Sequence, residues 1–327
     1  MSLLEVSNLR IRLQTHRGPA DAVRGVSFSL ARGETLGLIG ESGCGKSITA
    51  MSLMGLLPDS AEVTGSIRFD GQELVGRTDA QMCKMRGNRI GMVFQEPMTA
   101  LNPVHTIGRQ VAEPLRLHRA MSGDAARKEA IALLDRVGIP NAAQRFDAYP
   151  HQFSGGQRQR ITIAMALACG PDLLIADEPT TALDVTIQQQ ILDLISDLVA
   201  ERNMALILIS HDLGVISQNV DRMMVMYGGS VIESGATRRV FGHMAHPYTR
   251  GLFGARPRLG APPGTRLTTI DGTVPELVDL PAGCAFGDRC AWAQPTCFTT
   301  RPPPVTVDPG HEACCLRLDA VMAGDTP

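Results

Sequence analysis

The sequence, 327 residues long, contains no run of 18 or more apolar residues, so no helix in it is long enough to cross a bilayer. It carries almost no net charge, −2 at pH 7, which removes the electrostatic case for nucleic acid as the main partner. Neither an internal repeat nor a sustained heptad pattern is present. Lysine is scarce: Lys46, Lys84 and Lys128 stand alone among 31 basic residues. The first 13 residues place Glu5 before Arg10 without a long apolar run, so no secretory signal is read there. The expected compartment is the cytosol, where disulfides are rare. What is present is 44% hydrophobic and 20% charged residues, the make-up of a globular chain with a sizeable core. The length suits one large domain with an appendage, or two ordinary domains.

Short aliphatic runs at 35–39, 90–94, 173–176, 206–209 and 223–226 read as strands covered on both faces. Helical patterns fall between them. Over 184–201, Ile187, Ile191, Leu194, Ile195, Leu198 and Val199 form one stripe. This alternation predicts an α/β core with a mainly parallel sheet. Residues from about 96 to 165 lack strand signals and include a helix over 124–137, so they read as a helical insertion. Beyond about 245 the texture changes to proline, glycine and clustered cysteine. That segment, 246–327, reads as a separate, loop-rich appendage to a 1–245 domain.

Gly40-Glu41-Ser42-Gly43-Cys44-Gly45-Lys46-Ser47 fits G-x-x-x-x-G-K-[ST] between a predicted strand and a predicted helix over 47–57. Glycines at that spacing let backbone N–H groups face a β-phosphate, and the following helix adds its positive end. Lys46 supplies charge to the β/γ-phosphates and the Ser47 hydroxyl suits Mg²⁺. The plain alternative, a glycine-rich turn, does not account for the strand–loop–helix context or for so rare a lysine. Asp177-Glu178 follow an apolar strand, where Asp177 suits Mg²⁺ and Glu178 an attacking water. An acidic pair there is as often a cap or a surface turn, and its weight comes from its companions. Ser154-Gly155-Gly156-Gln157 opens a helical run over 158–168, which makes either a helix cap or a second anion site. One loop already wraps the phosphates, so this second site invites the γ-phosphate of a nucleotide held by another subunit. Gln95 and His211 each follow a predicted strand, and Asp184 lies seven residues beyond Asp177.

In this order and spacing the motifs resemble the ATP-binding-cassette (ABC) family over about residues 1–245. The resemblance implies a P-loop NTPase core with an antiparallel β subdomain and a helical subdomain, binding ATP and Mg²⁺. It implies two cassettes stacked head to tail, with ATP between the phosphate loop of one and the signature loop of the other. It further implies Glu178 as base, Gln95 linking Mg²⁺ and water to a membrane partner, Asp184 at the dimer seam, and His211 on the γ-phosphate. The segments Gln95-Glu96-Pro97-Met98-Thr99-Ala100-Leu101-Asn102-Pro103, 149–157, 177–186 and His246-Pro247-Tyr248 narrow the resemblance to ATPase subunits of oligopeptide, dipeptide and nickel importers. That group implies a peripheral protein on the cytoplasmic face of the inner membrane. Its partners are a second ATPase, favoured as a paralogue, two transmembrane permeases and an external solute-binding protein. A soluble cassette of the repair or translation type is the alternative, but here no coiled coil interrupts the cassette and only one cassette is present. A P-loop kinase or GTPase would have no use for residues 154–157.

Two departures stand out. Phe153 opens the signature where leucine is usual. The family's adenine-stacking aromatic near the N-terminus is missing from 13–18, which leaves His16, Arg17 or Leu13 and modest base discrimination. Five of eight cysteines fall between Cys284 and Cys315, with Cys284, Cys290 and Cys297 spaced C-x5-C-x6-C before Cys314-Cys315. Free thiols and a metal site, zinc or iron–sulfur, both remain open, while disulfides are disfavoured by compartment. The resemblance implies a [4Fe–4S] cluster on Cys284, Cys290, Cys297 and Cys315 rather than Cys314. Cys44 and Cys169 read as packing residues; no role is read for Cys83.

Overall fold

The computed structural model describes residues 2–181, 183–255 and 269–324. Strands β1 (Ser2–Thr15) and β2 (Gly18–Ala31) form a long hairpin turned through His16-Arg17. β3 (Thr35–Ile39) leaves for a second sheet, while β4 (Glu62–Phe69) and β5 (Gln72–Glu73) return to the first. The result is a four-stranded antiparallel sheet in the order β2-β1-β4-β5. The antiparallel subdomain implied by the resemblance is thus present, although the amino-acid pattern alone had assigned no strand to it.

The second sheet adds β6 (Ile90–Val93), β7 (Leu173–Asp177), β8 (Ala205–Ser210), β9 (Arg222–Tyr227), β10 (Ser230–Ala236), β11 (Val305–Asp308) and β12 (His311–Ala313). Its order is β11-β12-β10-β9-β3-β8-β7-β6, with β9-β3-β8-β7-β6 parallel. The five predicted strands match these five parallel ones to within a residue at each end. They were legible because both faces are covered. Leu173, Ile175, Ala205, Ile207 and Ile209 pack towards the antiparallel sheet, while Leu174, Ala176, Leu206 and Leu208 pack towards the helices on the other side.

Between β6 and β7 come the helices Pro97–Ala100, Ile107–Arg119, Gly123–Arg136, Ala142–Arg145 and Gly155–Leu167, which correspond to the predicted helical insertion. Ser122 caps the third of these through Ala125 N–H at 3.4 Å. The helix predicted over 47–57 is Lys46–Leu53, shorter because Gly55 turns left-handed at φ 59°.

The segment from 246 onwards differs from the appendage expected. Its strand β12 pairs with β10, Glu233 opposite Ala313 and Gly235 opposite His311, and β11 pairs with β12. The extension therefore completes an edge of the large sheet. These strands have four and three residues, too short for a period-2 pattern to register. Buried Glu233 ties the seam together. It meets His311 Nε2 at 2.8 Å and accepts the N–H groups of Ala245 and His246 at 2.7 and 3.0 Å.

Candidate nucleotide site

The loop 40–47 joins β3 to the helix Lys46–Leu53. Gly40 has φ 153°, and a Cβ there would run into the Met226 carbonyl and lie 2.6 Å from the Cys44 sulfur. Gly45 has φ 100° and leaves no room either, with the Ala22 carbonyl 2.6 Å from a Cβ. The loop closes over Lys46, whose ammonium donates to the carbonyls of Gly40 and Glu41 at 2.7 and 3.1 Å. Ser42 and Gly43 face solvent, whereas Cys44 is buried as packing. Glu41 is held from outside the loop. Its N–H donates to the Tyr248 hydroxyl at 2.8 Å and its carboxylate pairs with Arg289 at 2.7 Å.

Three adjacent parallel strands deliver the remaining chemistry at their C-terminal ends, the edge where open α/β sheets bind ligands. β6 leads to Gln95, β7 ends in Asp177 before Glu178, and β8 leads to His211. Ser47 Oγ donates to Asp177 Oδ1 at 3.1 Å. Burial pushes the Asp177 carboxyl up, the Ser47 bond opposes this, and the Glu178 charge adds to it. A divalent cation would relieve that cost, and the hard oxygens of Ser47 and Asp177 fit Mg²⁺ with phosphate and water oxygens completing its shell. Gln95, which the resemblance links to Mg²⁺ and water, donates its amide to Glu178 Oε2 at 3.0 Å. The same oxygen accepts Thr181 Oγ1 at 3.0 Å and lies 3.3 Å from His211 Nδ1. Glu178 holds φ 46°, a left-handed conformation rare for a non-glycine residue, and its N–H is anchored to the Ile209 carbonyl at 3.0 Å. Beside it a cavity of about 150 Å³ is lined by Glu178, Thr181, Ser210 and His211.

Ser154 caps the helix Gly155–Leu167 in a reciprocal box. It accepts Gln157 N–H at 3.3 Å, and the Gln157 side chain accepts Ser154 N–H at 3.2 Å. Ser154 and Gly155 are exposed, and a Cβ on Gly156 would lie 2.8 Å from Ile187. Asp184, also exposed, caps the helix Val185–Arg202 by accepting Ile187 N–H at 3.0 Å. Phe153 is buried with the Arg145 guanidinium 4.0 Å from its ring centre.

Of the residues considered for adenine, Arg17 is occupied, bonded to Glu276 at 2.5 Å and to Asp279 at 2.8 Å. Cys284, Cys290, Cys297 and Cys315 all line one small cavity of about 10 Å³, whereas Cys314 donates to the Val231 carbonyl at 3.5 Å. Burial pushes the Cys290 thiol up to about 11 and raises those of Cys284 and Cys315. Among the described residues no three His, Cys, Asp or Glu side chains are grouped to hold a metal. The cluster expected on these thiols therefore has no support in their arrangement.

Thr181, Tyr248, Tyr227 and Arg289 escaped the sequence reading as site residues; Thr181 and Tyr248 lay in quoted segments without a role, and the others carry no local signal.

Residues 23–181 match the family model for ABC transporter, and residues 232–297 the one for the oligopeptide/dipeptide transporter C-terminal region. The chain is 50% identical over 330 residues to a dipeptide transport ATP-binding protein of Bacillus subtilis, covering 99% of this chain and 98% of that protein. It is 48% identical over 333 residues to a putative peptide import ATP-binding protein of Brucella melitensis, covering 98% of each. Among solved structures, a dimeric ATP-binding cassette in a post-hydrolysis state with ADP and Pi matches with a TM-score of 0.64 and 29% identity, covering 72% of this chain and 99% of that one. A component of a Clostridium perfringens ABC transporter complex matches at 0.63 and 29%, covering 74% and 92%. With the phosphate loop, the acidic strand end and the C-terminal region all matched, this chain belongs to the ABC transporter family and is one of its ATPases.

Proposed function

We propose that this chain is the ATP-hydrolysing subunit of a peptide importer, with a cassette over about 1–245 and an extension over 246–327. The observation that carries the catalytic reading is the convergence of Gln95, Thr181 and His211 on one oxygen of Glu178. Held that way, Glu178 is oriented to take a proton from a water attacking the γ-phosphate. Mg²⁺, held from Ser47 and Asp177, neutralises charge on the β- and γ-phosphates when bound. In this reading His211 donates to the γ-phosphate, and Gln95 links the site to the membrane partner. The exposed box at Ser154 and the exposed Asp184 and Val185 support a second cassette closing the site; Val185 is 81% exposed.

Peptide transport in the names of the relatives supports the same cargo class here. We assign two permeases, an external binding protein and a second ATPase, favoured as a paralogue, as partners. The setting is the cytoplasmic face of the inner membrane. Among the described residues no helix is long and apolar enough to cross a membrane. Exposed Phe94, Val104 and Leu117 offer apolar surface for a permease. The hydrolysis proposed here does not involve the [4Fe–4S] cluster expected on Cys284, Cys290, Cys297 and Cys315. Iron and sulfide assay of anaerobically prepared protein decides it, and colourless, iron-free protein retires it.

The deciding experiment co-purifies the chain with its permeases in vesicles and measures ATPase activity with binding protein and peptide. Peptide-dependent stimulation is expected. Stimulation by no peptide, with stimulation by another solute, would leave the ATPase and overturn the cargo.

A further inference from the structure

Glu41, the second residue of the phosphate loop, is held from both sides by the C-terminal extension. Tyr248 accepts its N–H at 2.8 Å, and Arg289 meets both carboxylate oxygens at 2.7 and 3.2 Å. The Arg289 side chain is only 5% exposed. Its other donors reach the carbonyls of Asp271 and Ile270 at 2.8 and 3.4 Å and the Tyr227 hydroxyl at 3.2 Å. Every edge of the guanidinium is therefore satisfied. The Tyr227 and Phe286 rings stand 5.8 and 5.9 Å away, and Tyr227 packs edge-on against Tyr248 at 4.7 Å. Burial works against the Arg289 charge, but the bonds to Glu41 and Tyr227 outweigh it and hold the proton more firmly than in water. The Lys46 ammonium donates to the carbonyl of this same Glu41. Moving Glu41 therefore moves part of the cradle in which the phosphate-binding lysine lies.

We propose that Arg289 and Tyr248 are positioning residues which shape the phosphate loop through Glu41, so that the C-terminal extension sets this chain's affinity for ATP. The proposal rests on the reading of residues 40–47 as the phosphate site.

The test titrates purified full-length chain with a fluorescent ATP analogue and Mg²⁺, and records the thermal midpoint of each variant separately. Arg289→Met is expected to weaken Kd about tenfold, or about 1.4 kcal/mol. Glu41→Gln should do the same by leaving a buried guanidinium without its counter-charge. The double variant should be no weaker than the worse single one, since both break one contact. Arg289→Lys should recover part of the loss but not all of it, because an ammonium cannot bridge both oxygens. The control is Arg239→Met, which removes a different guanidinium contact with the extension, to the Pro309 carbonyl at 2.7 Å. Its Kd should stay within about twofold of wild type. Folded Arg289→Met and Glu41→Gln with wild-type Kd would overturn the proposal. So would an equal loss in Arg239→Met, which would make the contact general adhesion. If Arg289→Met does not fold, Tyr248→Phe is read instead, with an expected loss of about threefold; unchanged Kd there overturns the role of Tyr248. Lys46→Ala separates this from the underlying reading. Undiminished binding in that variant means the phosphate site itself is misplaced.

Discussion

Glu178 occupies a left-handed turn at the end of β7 and gathers three side chains on one oxygen, from segments as far apart as Gln95 and His211. Replacing it with glutamine keeps the size and removes the base. Turnover in the assembled transporter should fall at least about a hundredfold, and ATP-bound dimers should accumulate on gel filtration. Turnover near wild type would exclude Glu178 as the base. Thr181→Val removes one donor from the same oxygen, about 1 kcal/mol of orientation. Its kcat should drop by about three- to tenfold with the Kd for ATP unchanged; a shift confined to Kd would place Thr181 in nucleotide binding instead. Thr181 lay inside the quoted segment 177–186 but drew no role, because a threonine in a turn carries no motif of its own. With Arg17 tied to Glu276 and Asp279, His16 and Leu13 remain for the base, and preference for ATP over GTP should stay under about a hundredfold.

At the scale of elements, the helix Ile107–Arg119 owes its position to a residue that ordinarily weakens helices. Gly108 lies against the Phe146 ring, its N–H donates to the Phe146 carbonyl at 2.9 Å, and the Arg127 guanidinium covers that ring at 4.0 Å. Gly108→Ala, favourable on propensity, should instead cost about 1–3 kcal/mol by overpacking, read as a lower urea midpoint. The helix Pro247–Gly254 is capped by His246, whose Nδ1 accepts Tyr248 N–H at 3.1 Å. Burial lowers the His246 pKa to about 4, with the Glu233 charge opposing. The unfolded chain then binds the extra proton between about pH 6.5 and 4, so this contribution to stability is lost as pH falls through that window. At pH 5 the loss is about 2 kcal/mol. His246→Asn keeps a capping group without the titration, and its urea midpoint should fall less between pH 7 and pH 5 than that of the wild type. Equal slopes would remove His246 as the cause.

For the whole molecule, the phosphate loop and the Ser154 box belong to different faces of different nucleotides in the proposed dimer. Ser154→Arg should leave the Kd for ATP of the isolated chain unchanged and abolish hydrolysis in the assembled pair. Loss of binding in the isolated chain would contradict that division. Activity of the wild-type chain alone should be weak and should rise more than linearly with its concentration.

The five parallel strands and the loop 40–47 could be read directly, because two-sided burial writes a continuous apolar run and phosphate wrapping demands glycines at set spacing. The order of Gln95, Ser154, Asp177, Glu178 and His211 could likewise be read, although not the meeting of Gln95 and His211 at one Glu178 oxygen. The hairpin of β1 and β2 was missed by pattern: Leu9-Arg10-Ile11-Arg12-Leu13 alternates, but the register shifts between Val6 and Leu9 and around Ala22 break the period on both strands. Arg289 reaching Glu41 spans 248 residues, and Arg17 reaching Asp279 spans 262. Pairings of that kind depend on how the extension folds back along the sheet edge. Local periodicity reports only which face a residue buries, and the partner it meets there is decided when distant segments are packed together.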